Sequence, residues 1–134
     1  MEGDPEQPIW FSPDQIERLN EMVVAETGEN HLVLSHDLLA GAMARPVNLF
    51  LYEAITDIIV LGVRLIEALG KNHCFQQGNK RTAFVAGIAF MRNNGVQIDL
   101  ADKVENADLI ERLITGEASA EDVVARCRAA RMAA

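Results

Sequence analysis

The sequence predicts an all-α fold in a single domain, and three observations carry that prediction. Two central segments, about Leu51 to Leu69 and Lys80 to Asn94, have so little polar face that each belongs inside a core as a helix. Helix-start signals at Ser12, Ser35 and Ser119 each precede apolar residues at helical spacing. No stretch alternates apolar and polar residues as a half-buried strand does, and there is no internal repeat or low-complexity tract.

Residues 1–11 read as a disordered lead-in, since residues 1–8 hold two Pro, one Gly and three acids. The domain is expected over 12–134. In Ser12-Pro13-Asp14-Gln15, Ser12 can cap, Pro13 fits the first helical position, and Gln15 completes a capping box. Ile16, Leu19, Met22 and Val23 follow on one face, and Gly28 is the expected stop. Ser35 caps a short helix through Leu38, Leu39, Ala42 and Met43 that Pro46 is expected to end. The first central helix follows, carrying Ile55, Ile58, Ile59, Val63, Leu65 and Ile66, and Asn94-Gly95 stops the second. Two amphipathic helices, roughly 101–115 and 119–131, complete the chain, with Gly116 ending the first and Ser119 and Asp122 starting the second.

Composition limits the function classes. The chain of 134 residues carries 12 Lys+Arg against 20 Asp+Glu, a formal net charge of −8. An acidic surface of this kind repels phosphate backbones, so no nucleic-acid partner is expected. The longest uninterrupted apolar run, Ala83 to Met91, is far short of a membrane span, so no membrane partner is expected either. The polar, acidic start is no signal peptide, and Cys74 and Cys127 form no disulfide or metal pattern, so the expected location is the cytoplasm.

Between the two central helices lies Asn72-His73-Cys74-Phe75-Gln76-Gln77-Gly78-Asn79-Lys80-Arg81-Thr82, whose residue choice makes little sense as packing. Lys80 and Arg81 fall in the first turn of a helix, where the dipole disfavours cations. Gly78 and Asn79 before them permit tight backbone with free N–H groups, which together with two cations make a phosphate site. His73 is the one nearby group suited to proton transfer near neutral pH. A histidine before a helix is more often a cap or surface residue, and a Lys-Arg pair more often a solvated face. Both readings stay open at this level. His31 and His36 have no ligand spacing around them, and Asp99, Asp102 and Glu105 look like a solvated face. Cys127, between Arg126 and Arg128, is open to a lowered pKa or to packing on the final helix.

The segment His73-x-Phe75-x-x-Gly78-Asn79-Lys80-Arg81 closely resembles the core motif of the Fic/Doc superfamily in its death-on-curing (Doc) branch. Fic members read H-P-F-x-[D/E]-G-N-G-R-x-x-R; here Lys80 replaces the second glycine and Phe84 stands at the final arginine, as in the Doc branch. Leu38-Leu39-Ala40-Gly41-Ala42-Met43-Ala44-Arg45-Pro46 is similar to a family LLESALARP segment. The resemblance implies a single all-helical Fic/Doc-type domain that transfers part of ATP, with Mg²⁺, to a protein hydroxyl. For a Doc-like toxin this is phosphate transfer to a Ser/Thr of a translation factor, elongation factor Tu, which stops translation. It implies His73 as general base, Phe75 as anchor, and Gly78, Asn79, Lys80, Arg81 and Thr82 as the phosphate-binding run, with Lys80 and Arg81 aiding the transfer. Pro46, Val47, Asn48, Leu49 and Phe50 would form the flap that aligns the target peptide by strand-like pairing. The family's acidic metal position falls at Gln77, and a neutral amide is a poorer Mg²⁺ ligand than a carboxylate. Phosphate transfer, AMP transfer and a silent Fic-fold binding module therefore all stay open. The family's self-inhibitory [S/T]-x-x-x-E-[G/N] motif is missing, because Ala25 and Ala101 stand where its hydroxyl residue belongs. The resemblance thus implies inhibition by a separate antitoxin with a disordered tail.

Overall fold

A computed structural model describes residues 7–100 and 104–133 of the chain. Among these residues the chain forms α1 (Pro13–Ala25), α2 (His36–Glu53), α3 (Ile58–Asn72), α4 (Asn79–Asn93), α5 (Val104–Thr115) and α6 (Ala120–Ala129), with two isolated bridge pairs and no strand. The all-α expectation holds. None of these helices is long and apolar enough to cross a membrane.

The capping chemistry behaves as its sequence implies. The Ser12 hydroxyl accepts from the Gln15 N–H at 3.3 Å while the Gln15 side chain accepts from the Ser12 N–H at 2.8 Å. Ser119 and Asp122 repeat the box at α6. The Ser35 hydroxyl accepts from the Leu38 N–H at 3.1 Å.

Two expectations fail in the middle. Pro46 does not end α2, which continues through it to Glu53. The apolar face of Leu39, Ala42, Pro46 and Leu49 is buried at helical spacing, so burial on both sides of the proline outweighs its one lost hydrogen bond. The first central helix consequently begins at Ile58 rather than near Leu51. Ala54 ends α2 in the left-handed region at φ 55°, and the Asp57 carboxylate restarts the chain by accepting from the N–H groups of Ile59 and Val60 at 2.9 and 3.3 Å. Neither break carries a glycine, so the boundary has no conventional signal.

Only part of the expected lead-in falls among the described residues. Residues 1–6 lie outside the described residues, as do 101–103 with Asp102 and the expected start of α5. Residues 7–11 pack instead. The Trp10 ring stacks on Phe90 at 5.5 Å and meets Phe50 edge-on at 5.9 Å, and Asn94 bonds both the N–H and the carbonyl of Ile9.

The core centres on α3 and α4. In α3, Ile59, Leu61, Val63, Leu65, Ile66 and Leu69 are all buried. Their contact is tight at two glycines: a Cβ on Gly87 would lie 2.2 Å from Cγ1 of Ile66, and one on Gly62 would lie 2.6 Å from Cε of Met91. A Gly87→Val variant is expected to lower stability by ~1–3 kcal/mol through overpacking. Gly41→Ala, on an open helical surface with nothing within 4 Å, should raise it by ~0.5–1 kcal/mol. Urea unfolding midpoints of the two variants check both signs.

Candidate functional site

The loop between α3 and α4 is shaped by a left-handed residue at each end. His73 leaves α3 with φ 49°, and Gly78 enters α4 with φ 74°. Gly78 cannot be replaced cheaply, since a Cβ there would lie 2.9 Å from Cγ1 of Val24 on α1. Between these ends Cys74 and Phe75 plunge into the core, 0% and 2% exposed, while His73, Gln76 and Gln77 remain exposed. Phe75 is thus buried in the core, and His73 lies at the surface two residues before it.

Backbone partners hold the loop from both sides. The N–H of Leu34 donates to the Cys74 carbonyl at 2.7 Å, and the N–H of Gln76 donates to the Leu32 carbonyl at 2.9 Å. Asn79 grips Phe75: its Nδ2 donates to the Phe75 carbonyl at 2.7 Å and its Oδ1 accepts from the Phe75 N–H at 3.0 Å. The Asn79 side chain therefore shapes the loop, leaving its backbone for any anion. No side chain caps the first turn of α4, and the Thr82 N–H donates to the Gly78 carbonyl at 2.9 Å. An uncapped helix start carries unmet N–H donors and the positive dipole end.

The two cations of that turn diverge. Lys80 Nζ reaches Glu111 of α5 at 2.6 Å. Arg81 turns to the C-terminal end of α1, pairing with Glu29 and donating to the Thr27 hydroxyl at 3.2 Å and the Val23 carbonyl at 3.5 Å. Consecutive helical residues point roughly 100° apart, which sends neighbours to different elements. Both carboxylates ionise more readily for it. Glu29 is held below its ordinary range by the Thr27 hydroxyl first and then by Arg81, and Glu111 is held below it by Lys80.

Other expected site residues fall elsewhere. Thr82 is 1% exposed, and its hydroxyl accepts from Asn20 at 3.1 Å while its N–H is used within the helix, so neither group faces an anion at the loop. Pro46, Val47, Asn48, Leu49 and Phe50 lie inside α2, where helical bonding occupies the backbone that strand-like pairing needs. The extended partner of the loop is instead the stretch around Val33, which bridges Phe75. Gln77 is exposed, and among the described residues no group of three His, Cys, Asp or Glu side chains could hold a metal. The neutral amide of Gln77 is thus a poor fit to Mg²⁺, which prefers carboxylate oxygens. Cys127 packs on α6 fully buried, and burial pushes its thiol up to about 11 against the pull of Arg126. His36 lies at the surface, 3.8 Å from Glu17.

Two residues of this region escape a sequence reading. Asn20 is 0% exposed, and its Nδ2 donates to the Gln77 carbonyl at 2.8 Å as well as to Thr82. His31 Nδ1 lies 2.7 Å from Asn20 Oδ1. The available signal is Asn20 itself, a polar residue four after Ile16 on the apolar face of α1.

A model of the Fic/DOC family matches residues 10–91. The chain is 40% identical over 72 residues to "Protein kinase doc" of Escherichia phage P1, covering 54% of this chain and 56% of that protein, a little over half its length. It is 32% identical over 95 residues to "Toxin Doc" of Mycolicibacterium smegmatis, covering 69% of this chain and 73% of that one.

Because the folded pKa of Glu29 lies below its ordinary value of 4.5, its pairing stabilises the fold above that pH and is lost as pH falls. Thr27→Val is expected to move the Glu29 carboxyl titration up toward 4.5, and Arg81→Ala to move it the same way. Carbon-detected NMR titration of the side chain checks the sign.

Proposed function

From the premise that the chain belongs to the Fic/DOC family, we propose that it is a Doc-like toxin. Its activity is transfer of the γ-phosphoryl group of ATP to a Ser/Thr hydroxyl of a protein, with elongation factor Tu as the target. The observation that carries this reading is the uncapped start of α4, with Lys80 and Arg81 in its first turn and the exposed His73 on the same short loop. The name of the phage relative, a protein kinase, supports phosphate over AMP transfer. Lys80 supports it too: where Fic members have glycine, its side chain fills space an α-phosphate would need and adds a cation.

In this reading the backbone N–H groups from Gly78 onward receive the phosphate oxygens. Lys80 and Arg81 neutralise charge as it shifts in transfer. His73 takes the proton of the acceptor hydroxyl, whose oxygen bonds the γ-phosphorus as its bond to the β,γ-bridging oxygen breaks and ADP leaves. A Mg²⁺ bound with the nucleotide would supply charge neutralisation of the phosphates, and Gln77, a neutral amide, would offer it a weaker ligand than a carboxylate. A separate antitoxin with a disordered tail restrains the toxin in the cytoplasm.

A silent binding module is the second reading, and the neutral Gln77 is what favours it. ATP labelled at the α or the γ position, incubated with the chain and a cell extract, separates the readings. Label from γ alone, lost in His73→Ala, is the expected result. Label from α would replace kinase with nucleotidyl transfer, and no label with wild type matching His73→Ala would leave a silent module. Gln77→Asp is expected to raise Mg²⁺-dependent transfer by about tenfold, the scale of one added charge-assisted ligand. An unchanged rate would mean that position 77 does not face the metal.

A further inference from the structure

We propose that Asn20 and His31 form a clamp that aims the Gly78 amide into the anion-binding mouth, making both of them positioning residues for the site. The inference rests on the phosphotransfer reading for its purpose, but its geometry stands apart from it.

Asn20 is fully buried, where a primary amide is costly unless its donors and acceptor are met. Its Nδ2 donates to two oxygens, the Gln77 carbonyl at 2.8 Å and the Thr82 hydroxyl at 3.1 Å. The carbonyl can only accept, so the amide's orientation is fixed and its Oδ1 faces His31 Nδ1 at 2.7 Å. That nitrogen must therefore carry hydrogen, which leaves Nε2 of a neutral His31 as the acceptor. The His31 ring also stands 6.1 Å from the Phe75 ring, and the next residue, Leu32, accepts from the Gln76 N–H. One short segment thus backs the anchor and fixes the clamp.

The consequence lies in one peptide plane. Carbonyl and N–H point in opposite directions across a trans peptide. Drawing the Gln77 carbonyl inward to α1 turns the N–H of Gly78 outward, away from α1 and toward the mouth of the loop. A peptide plane left free to rotate would present either its donor or its acceptor there, and an acceptor repels phosphate. Apolar residues at 20 and 31 could fill the same space, yet they would not choose between those two states.

The test uses the full chain, ATP as probe, and the amide resonance of Gly78 as a signature independent of activity. Asn20→Ala is expected to shift that resonance and weaken ATP binding by about tenfold, the scale of a lost donor to a charged group. His31→Leu should weaken it by about threefold, and His31→Asn, which returns a donor near the Nδ1 position, should restore both readouts. An unmoved Gly78 resonance in Asn20→Ala and His31→Leu would overturn the clamp, as would a loss that His31→Asn fails to repair. If Asn20→Ala does not fold, His31→Leu, at the half-buried end, decides alone. Should the wild type bind no ATP, the phosphotransfer reading fails, and the Gly78 resonance still decides the clamp.

Discussion

The close crossing of α3 and α4 is the constraint on which the rest of the molecule depends. At Gly62 and Gly87 the two helices approach so nearly that one added carbon on either would strike Met91 or Ile66. Such an approach fixes where α3 ends and where α4 begins. The loop joining them must then turn the chain round within a few residues, which is why His73 and Gly78 both adopt left-handed backbone. A non-glycine residue held there stores of order 1–3 kcal/mol of strain unless its surroundings impose it. At His73 the surroundings do so: the next two residues are buried, and Leu34 takes the Cys74 carbonyl. The exposure of the candidate base is a product of helix packing well away from it.

Packing alone would leave the loop's backbone free to rotate, and polar contacts remove that freedom. Asn79 uses both ends of its side-chain amide on Phe75, and the Val33 stretch bonds the flanking residues. Each such bond contributes only ~0.5–1.5 kcal/mol to stability, whereas leaving a buried partner unmet costs ~1–3 kcal/mol. The asymmetry favours one arrangement over its neighbours more than it favours folding as a whole. Order in the loop and stability of the domain therefore come from different residues.

The same division explains what the amino-acid sequence disclosed. Helix starts at Ser12, Ser35 and Ser119 were legible because capping is local, involving a side chain and an N–H three residues away. The loop was legible because Lys80 and Arg81 oppose the helix dipole, a conflict visible without any tertiary contact. Pro46 misled, since its helix-breaking tendency of ~3 kcal/mol is outweighed only by burial that depends on α3. The packing of Trp10 was hidden for the same reason: its partners Phe50 and Phe90 come from distant helices. Asn20 meets Gln77 and Thr82 across the α1–α4 contact, and His31 meets Asn20 from the segment after α1, so no local pattern names them.

Charge gives the last constraint on what the site can accept. Two cations in the first turn of a helix are unfavourable by ~0.3–1 kcal/mol each at exposed sites, and Glu29 and Glu111 offset that cost from neighbouring elements. Lys80 and Glu111 are 52% and 56% exposed, so their pairing belongs to the weak surface class, ~0–1 kcal/mol. Glu111 on α5 is the one side-chain partner described for Lys80 and pairs with it at the surface, whereas Arg81 is held by Glu29 beyond the end of α1 together with the Thr27 hydroxyl and the Val23 carbonyl. In the proposed reading, a phosphate of higher charge at the helix start would use the dipole, the first-turn N–H donors and the cations together, and would compete with a carboxylate that uses one of these alone. A polymer of phosphates gains the same local terms but must also bring its neighbours against a chain of net charge −8. In that reading the acidic body and the two cations act in the same direction, favouring a compact polyphosphate over a long one.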